Sequence, residues 1–406
     1  MKEKKELLGM VAYGVCSQLL PIAIIPFLTR IYSPSDFGNL ALYISASIIL
    51  STLMTLRYDS AIYKPSSEEC AEKIVVVNFF IITIVTISSI VFYCFSDFVI
   101  DYSVVVFCFI VVSAVFQALN RVIQNYVMRK QDFKTFKVAL VVRTSFIILF
   151  QVVLYKFDYG LILGNLLGVI CCFCYLLSEK YNSFVNFKFK GFSFLYETAV
   201  NYKSFPLYSF PAVMLNTVVN NSIPLAIITL YDIRVAGLFA LVHKLLGMPT
   251  ALIGNILSQY LMSKVSLSLR DTTFNLHRFV LKFVLLLCFS SLILFGTIVL
   301  VPESFLVKLF GSEWEGITSI IFSIVMFYAS RFIASPISVV NQVRGFNKTE
   351  LIWQVSYALS ILSVYSYAKH FSISVNDFLL TFSSVSAIMY IILAIVNIKN
   401  SNEKYR

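Results

Sequence analysis

Twelve apolar stretches of about 20 residues follow one another along this chain of 406 residues. About 20 apolar residues are what a helix needs to cross the hydrocarbon core of a bilayer. Because no water is available there, every backbone polar group must be satisfied within the segment, as it is in a helix. The sequence therefore predicts an all-α integral membrane protein with twelve transmembrane helices, at 8–28, 37–63, 74–95, 104–123, 138–155, 159–177, 204–230, 235–257, 279–301, 317–340, 351–368 and 378–397.

Positive charges fall mainly on one side of these predicted helices. Of the 32 Lys and Arg residues, 24 lie in the tails and connections that share a side with the N-terminus, and five lie in the other connections. The remaining three, Arg143, Lys244 and Arg331, lie inside the apolar stretches. Cytoplasmic connections of membrane proteins carry an excess of basic residues. The asymmetry predicts an even number of spans with both termini in the cytoplasm.

The composition excludes an ordinary soluble protein, because 59% of the residues are hydrophobic and only 13% are charged. A net charge of +11 would suggest nucleic acid as the partner of a soluble domain. Here most basic residues lie beside helix ends, where they contact anionic lipid head groups. The cysteines and histidines lack the spacing of metal ligands. We expect the bilayer as a partner, no nucleic acid and no metal.

A polar connection at residues 178–203 separates the predicted helices into two groups of six. We interpret residues 1–177 as an N-terminal lobe, 178–203 as a cytoplasmic linker and 204–406 as a C-terminal lobe. Because six is an even number, both lobes would enter the membrane in the same orientation. This arrangement predicts a parallel internal repeat.

One short window supports the repeat. At an offset of 199 residues, residues 31–43 (IYSPSDFGNLALY) lie over residues 230–242 (LYDIRVAGLFALV) without a gap. Both windows fall at the predicted outer joint between the first and second helices of a lobe. The identical pairs are Tyr32 with Tyr231, Gly38 with Gly237, Ala41 with Ala240, and Leu42 with Leu241.

Enzymatic motifs are missing from the sequence. It contains no GxxxxGK[ST] phosphate loop, no GxGxxG following a strand and no HExxH. The longest outer connection, about residues 302–316, is too short for a catalytic domain. The sequence therefore predicts a protein that is not an enzyme and needs no cofactor. A membrane-embedded enzyme stays as a less favoured alternative.

Basic residues in the predicted spans are the candidates for binding. Arg331, Lys244 and the adjacent His243 lie near the middle of their spans, and Arg57 lies in the inner half of the second span. A charge at the bilayer centre costs about 2.5–3.5 kcal/mol, so these side chains should face a wet cavity or a partner. Arg30 ends the first span, where anchoring and ligand contact are both open. Because the middle of the spans holds no Asp or Glu, the residues favour an anionic ligand.

Polar side chains at helical spacing suggest a hydrophilic lumen. Single polar residues in membranes also hold helices together, so packing is the alternative interpretation. The candidate lumen residues are Gln117, Asn120 and Gln124 on the fourth span, Asn216 and Asn220 on the seventh, and Ser335 on the tenth.

Four segments resemble one family of membrane transport proteins. These are PFLTRIYSPSDFGNLALY from Pro26, TLRYDSAIYKP from Thr55, AGLFALVHKLLGMPTALIGNILSQ from Ala236 and FGSEWEG from Phe310. They are similar to the polysaccharide flippase branch of the multidrug/oligosaccharidyl-lipid/polysaccharide exporter superfamily. The resemblance implies two six-helix lobes around a central cavity that opens alternately to each side.

The resemblance also implies a function. Such a protein moves undecaprenyl-diphosphate-linked oligosaccharide repeat units across the bacterial inner membrane for O-antigen, capsule or exopolysaccharide synthesis. Cationic lumen residues would hold the diphosphate, and the resemblance includes Arg30, Arg57, His243 and Lys244 among them. Arg331 joins these substrate-binding candidates only because of its place on the face of its own span. Other polysaccharide-assembly proteins and proton or ion coupling remain open. An ion-coupled small-molecule antiporter of the same fold is the alternative function, and a membrane-embedded polysaccharide polymerase or ligase is a less favoured one.

Overall fold

The computed structural model describes residues 19–95, 104–185, 192–268 and 275–402, and every regular element in these ranges is helical. Long apolar runs form these helices because each backbone group finds its partner within its own segment. The helices are α1 (Leu19–Ile31), α2 (Pro34–Thr55), α3 (Tyr58–Ala61), α4 (Glu68–Phe95), α5 (Val104–Arg129), α6 (Phe133–Val153), α7 (Gly160–Val185), α8 (Phe192–Asn201), α9 (Phe210–Leu230), α10 (Ile233–Ser268), α11 (Leu276–Val299), α12 (Glu303–Phe310), α13 (Ile317–Ile337), α14 (Val339–Arg344), α15 (Asn347–Phe371) and α16 (Val375–Asn402), with a π-helical turn at Phe205–Ser209 and a 3-10 turn at Ser312–Trp314.

Ten of the predicted spans coincide with helices that are long and apolar enough to cross a membrane. The chain is therefore a multi-pass all-α membrane protein, as predicted. The eleventh predicted span coincides with α15, a 25-residue helix that falls outside those ten. The first span is described only from Leu19 onward. The count of twelve and the cytoplasmic position of both termini stay predictions.

The described residues form two compact units. The first unit consists of Asn39–Leu225 together with the described residues before Ser33, and the second consists of Ser33–Gly38 and the chain from Ala226. The lobe boundaries inferred from the sequence stay a prediction. The predicted linker at 178–203 is partly helical, since α7 continues to Val185 and α8 follows.

The second predicted span is broken near its end, which corrects the expectation of one helix over residues 37–63. Leu56 and Arg57 separate α2 from α3 with φ angles of 43° and 65°. A left-handed residue with a Cβ costs about 1–2 kcal/mol, so the surrounding packing must hold the break in place. Tyr58 supplies part of that packing, because its side chain is buried and its hydroxyl donates to the Ala199 carbonyl oxygen in α8 at 2.9 Å.

Close helix contacts in the first unit depend on three glycines spaced four residues apart at the start of α7. A Cβ at Gly160 would meet the Leu154 carbonyl oxygen, and one at Gly164 or Gly168 would meet α6 at Gln151 or Ile147. Small residues repeated every fourth position allow helix backbones to approach closely in membranes. This stripe packs α7 against α6.

The contact between the first residues of α2, Pro34–Gly38, and the start of α10 is reciprocal and lies within the second unit. A Cβ at Gly38 would collide with the carbonyl oxygen of Ile233, and a Cβ at Gly237 would collide with that of Pro34. Gly38 matches Gly237 and Pro34 matches Ile233 at the offset of 199 residues. The two matched segments therefore present the same surface to each other, as in a self-complementary contact, and the contact lies within the second unit.

The matched tyrosines make equivalent hydrogen bonds within their own units. The Tyr32 hydroxyl donates to the Gln151 carbonyl oxygen near the end of the fifth predicted span, at 2.7 Å. The Tyr231 hydroxyl donates to the Ile373 carbonyl oxygen after the eleventh predicted span, at 3.0 Å. Burial and the nearby Asp377 carboxylate raise the pKa of Tyr231, so its hydroxyl stays protonated and can donate. Both bonds agree with a parallel repeat of six helices.

Candidate functional site

Three basic side chains come together in the second unit. His243 and Lys244 lie on α10, Arg331 lies on α13, and His243 is within electrostatic reach of the other two. The Tyr328 hydroxyl and Nδ1 of His243 form a hydrogen bond that connects the two helices. We call these three basic residues the α10–α13 cluster. The sequence predicted each of them as a candidate, and the structure brings them together.

Gly247 lies beside the bond between His243 and Tyr328. A Cβ at Gly247 would lie 3.4 Å from Cε1 of Tyr328 and 3.9 Å from Nε2 of His243. Tyr328 is buried, whereas His243 is surrounded by protein on most sides and keeps an exposed face. The pair therefore holds the imidazole in one orientation while its other side stays reachable by a ligand.

Lys244 and Arg331, the two other cations of the cluster, each lie next to an aromatic ring. Nζ of Lys244 lies 5.3 Å from the centre of the Phe37 ring, and Cζ of Arg331 lies 5.7 Å from the centre of the Phe327 ring. Such contacts stabilise a cation without neutralising it. Within the described residues, neither Lys244 nor Arg331 forms an ion pair with a carboxylate. Both side chains are half-buried, so their charge is available to an anion.

Tyrosines from α15 and α16 complete the surroundings of Arg331. Tyr357 and Tyr390 have ring centres 5.6 Å apart, and both phenols are within electrostatic reach of Arg331. The Tyr357 hydroxyl donates to Oγ of Ser386 at 3.2 Å. Trp353 stacks on Tyr357 with ring centres 5.2 Å apart and donates from Nε1 to the Met389 carbonyl oxygen. The sequence did not predict these aromatic residues as neighbours of Arg331, because no local pattern connects α15 or α16 with α13.

The polar residues predicted on α5 make hydrogen bonds to neighbouring helices of the first unit. Nε2 of Gln117 donates to Oγ of Ser47 at 3.0 Å, and Nδ2 of Asn120 donates to the Val169 carbonyl oxygen at 2.9 Å. Nε2 of Gln124 contacts Sγ of Cys172 at 3.9 Å. These contacts are of the helix-packing kind that the sequence analysis left open. A lumen role for the three residues stays a prediction.

The remaining predicted polar residues are more accessible. Asn216 is exposed, and it accepts a hydrogen bond on Oδ1 from Nδ2 of Asn220 at 2.9 Å. Pro224 lies one turn further along α9 and has no N–H for the Asn220 carbonyl. Ser335 is exposed on α13, one turn beyond Arg331. Their assignment to a substrate path stays a prediction.

Arg30 and Arg57 belong to the first unit, apart from the α10–α13 cluster in sequence and in unit. Arg30 is exposed at the end of α1. Arg57 is half-buried at the break between α2 and α3, and its Nε atom is buried without a hydrogen-bond partner among the described residues.

A regular polar seam joins α5 to α2 and α3. Successive fourth residues of α5 donate hydrogen bonds to these helices, and the seam includes Arg121, which the sequence analysis counted as a connection residue. The spacing of Ser113 and Gln117 already pointed to position 121 on the same face. The bonds run from Nε2 of Gln117 to Oγ of Ser47 (3.0 Å), from Nη2 of Arg121 to Oγ of Ser51 (2.9 Å), from Nδ2 of Asn125 to the Asp59 carbonyl oxygen (3.0 Å) and from Nη1 of Arg129 to the Ile62 carbonyl oxygen (3.0 Å).

The described residues hold no group of three or more His, Cys, Asp or Glu side chains that could bind a metal ion. The arrangement of the α10–α13 cluster instead suits an anionic group. An arginine can hold two oxygens of a phosphate with parallel hydrogen bonds, and a lysine adds a point charge.

Solved structures with the same fold are transport proteins. The chain is similar to an inward-facing multidrug resistance MATE family transporter of the MOP superfamily, with 14% identity, a TM-score of 0.66 and coverage of 95% of this chain and 93% of that one. It is also similar to the lipid II flippase MurJ in an inward closed conformation, with 13% identity, a TM-score of 0.74 and coverage of 96% and 87%. A MATE protein in complex with MaD3S gives a TM-score of 0.61 at 13% identity, with coverage of 99% and 97%. These likenesses confirm the predicted fold, and none of the three proteins is an enzyme.

The comparison with curated proteins found no match. A family model described as polysaccharide biosynthesis protein matches residues 27–319, which include α10 and the first helices of the chain. The resemblance inferred from the four sequence segments is thereby confirmed. Because the match covers more than half of the sequence, this chain belongs to the polysaccharide biosynthesis protein family.

Proposed function

We propose that the protein is a flippase for lipid-linked oligosaccharides. Its substrate would be an undecaprenyl-diphosphate-linked repeat unit, carried from the cytoplasmic to the outer leaflet of a bacterial inner membrane for O-antigen, capsule or exopolysaccharide synthesis. The family supports a role in polysaccharide biosynthesis, and the fold supports transport. The single observation that carries the proposal is the α10–α13 cluster.

The energetic argument starts from the cost of unpaired charge in a membrane. A cation in the middle of a span costs about 2.5–3.5 kcal/mol, and the cluster keeps Lys244 and Arg331 without a carboxylate partner among the described residues. A diphosphate carries the opposite charge and offers several acceptor oxygens. Binding it would offset the cost of both the cluster and the head group.

The aromatic residues near Arg331 define the rest of the proposed binding mode. Tyr328 orients His243, and the phenols of Tyr357 on α15 and Tyr390 on α16 lie within electrostatic reach of the guanidinium. We expect Arg331 to grip phosphate oxygens bidentately and Lys244 to add attraction without fixed geometry. The polyprenyl chain would stay in lipid while the charged head moves, and alternating access of the two lobes would carry it across.

The test uses a strain whose surface polysaccharide depends on this gene. We expect Arg331→Ala and Lys244→Ala to reduce surface polysaccharide at least tenfold at normal protein level, since each removes a charge-assisted contact. Lys282→Ala is the matched control, because Lys282 is exposed on α11 in the same unit. Polysaccharide at the wild-type level in both cluster variants would rule out the assigned site.

A cation antiporter is the second candidate function, and the buried carboxylate of Asp59 is the observation that favours it. This carboxylate is only 1% exposed at the end of the second predicted span. Arg121 and Arg57 lie nearby and oppose the binding of a cation there. Efflux of an organic cation driven by an ion gradient in proteoliposomes, without movement of a lipid-linked oligosaccharide, would favour the antiporter.

A further inference from the structure

The break between α2 and α3 lies beside three arginines of the first unit. Arg121 on α5 is within electrostatic reach of Arg57 at the break and of Arg143 on α6. Asp59 is the one carboxylate that acts on Arg121 among the described residues. Three positive charges against one negative charge leave an excess of two. Like charges held together in a weakly polar environment repel, so the group is suited to receive an anion.

The arginines have few partners of their own. Arg121 donates from Nη2 to Oγ of Ser51, and that is its one hydrogen bond to the described residues. The side chains of Arg57 and Arg143 form no hydrogen bond within the described part of the chain, and all three arginine side chains are half-buried. Most of their guanidinium N–H groups are therefore free to contact a ligand that reaches them.

The backbone at Arg57 supports a binding role. Its φ angle of 65° is unfavourable for any residue with a Cβ, and the position holds an arginine where glycine would be free of strain. Strained backbone of this kind persists where the surroundings fix it, and it is frequent at ligand sites. Here the break carries the Arg57 side chain away from the regular course of α2.

Asp59 is held close to these arginines without a salt bridge. Its Oδ1 atom is buried and has no hydrogen-bond partner among the described residues. Nδ2 of Asn125 donates to its carbonyl oxygen at 3.0 Å and only weakly, at 3.5 Å, to Oδ2. The seam thus fixes the backbone of Asp59 and leaves the carboxylate to interact with the arginines through space.

We infer that Arg57, Arg121 and Arg143 form a second anion site in the first unit, for a phosphate-bearing lipid head group, with Asp59 as the counterion of the empty site. The inference rests on the proposed function where the lipid is the lipid-linked substrate. An anionic phospholipid of the bilayer offers the same phosphate chemistry. A bound phosphate of either lipid would replace the Asp59 carboxylate as the negative charge that stabilises Arg121.

The depth of the cluster favours a lipid over a soluble anion. Arg121 lies eight residues before the end of α5 at Arg129, a distance of about 12 Å along the helix axis. Arg57 lies two residues after the end of α2, and Ser51 on α2 belongs to the same seam. The predicted fourth span ends at Ile123 and the fifth begins at Val138, so Arg121 and Arg143 lie within about two turns of the predicted inner boundary of the bilayer. Phosphates of lipid head groups lie just beyond the hydrocarbon core.

The experiment measures lipid retention by native mass spectrometry on the full-length protein. Undecaprenyl diphosphate and phosphatidylglycerol are the two probes, each added separately at matched concentration. We expect Arg121→Ala to weaken retention of at least one probe about tenfold, because it removes charge-assisted hydrogen bonds. Arg121→Lys keeps the charge and should weaken retention less. Lys134→Ala, at an exposed position on α6, is the control.

A second variant predicts the opposite change. Asp59→Asn removes the counterion and should strengthen retention of the same probe several-fold. If the two variants change the retention of phosphatidylglycerol alone, the site holds a lipid of the bilayer. If they change the retention of undecaprenyl diphosphate, the site holds the substrate. Retention that changes with neither Arg121→Ala nor Asp59→Asn overturns the inference. Wild-type surface polysaccharide in cells that carry Arg331→Ala or Lys244→Ala, together with lipid retention that Arg121→Ala weakens, would count against the proposed function and leave this site intact.

Discussion

Gly38 and Gly237 lie against each other where α2 and α10 begin. A Cβ on Gly237 would lie 3.0 Å from the backbone nitrogen of Gly38 and would collide with the Pro34 carbonyl oxygen. The two glycines occupy positions that match at the offset of 199 residues, so one close contact uses both of them. No side chain larger than hydrogen fits at either position without separating the helices.

We therefore predict that Gly38→Ala and Gly237→Ala each destabilise the protein. The added methyl group meets backbone rather than a movable side chain, and overpacking of this kind costs about 1–3 kcal/mol. Thermal unfolding in detergent should show a lower midpoint for both variants. The control is Gly296→Ala on α11, where nothing lies within 4 Å of the added Cβ. Equal midpoints for all three variants would contradict the described contact.

The bond between Tyr328 and His243 gives a second prediction. Tyr328→Phe keeps the ring and removes the hydroxyl, so we expect about 1 kcal/mol of lost stability together with reduced transport. The loss of transport follows because His243 is no longer oriented. Thermal unfolding and the polysaccharide assay measure the two effects, and Tyr367→Phe, at an exposed position on α15, serves as the control. Wild-type values in both assays would show that the bond has no role.

Two variants of Arg331 separate the effect of its charge on transport from the effect of its hydrogen-bonding geometry. Arg331→Lys keeps the positive charge and loses the planar fork that holds two oxygens at once. We expect transport between that of the wild type and that of Arg331→Ala. The amount of surface polysaccharide, normalised to protein level, gives the order of the three. A lysine variant as inactive as the alanine variant would mean that charge alone contributes nothing.

The left-handed backbone at Arg57 gives a prediction in which stability and binding move independently. Arg57→Gly and Arg57→Ala both remove the charge, but only alanine keeps a Cβ at a φ angle of 65°. The glycine variant should be more stable than the alanine variant by about 1–2 kcal/mol. Both should retain phosphate-bearing lipid equally poorly. Denaturation in parallel with lipid retention tests the pair, and equal stability would argue against strain at this position.

The long apolar stretches and the charge asymmetry were enough to place the main helices. An apolar stretch ends at the edge of the hydrocarbon core, but its helix can continue into the polar layer. α5 extends to Arg129 beyond the predicted end at Ile123, and this is why Arg121 was assigned to a connection. The i+4 series through Ser113 and Gln117 held the missing information.

Other features have no local signal. The break at Leu56 and Arg57 contains neither glycine nor proline, so nothing in the sequence marks it. The meeting of Tyr357 and Tyr390 near Arg331 depends on the packing of three helices that are distant in sequence. His243, Lys244 and Arg331 were predictable because a charge in a span is costly wherever its helix packs.

The reciprocal contact of α2 and α10 has the form of a homodimer interface built into one chain. Two identical subunits would carry every residue twice, so any charge near the axis would face its own copy. Within one chain the matched segments can differ, and at the offset of 199 residues His243 and Lys244 correspond to Ile44 and Ser45. A single chain can thus carry the cations after one of the matched segments and uncharged side chains after the other, whereas two identical subunits would carry the cations in pairs.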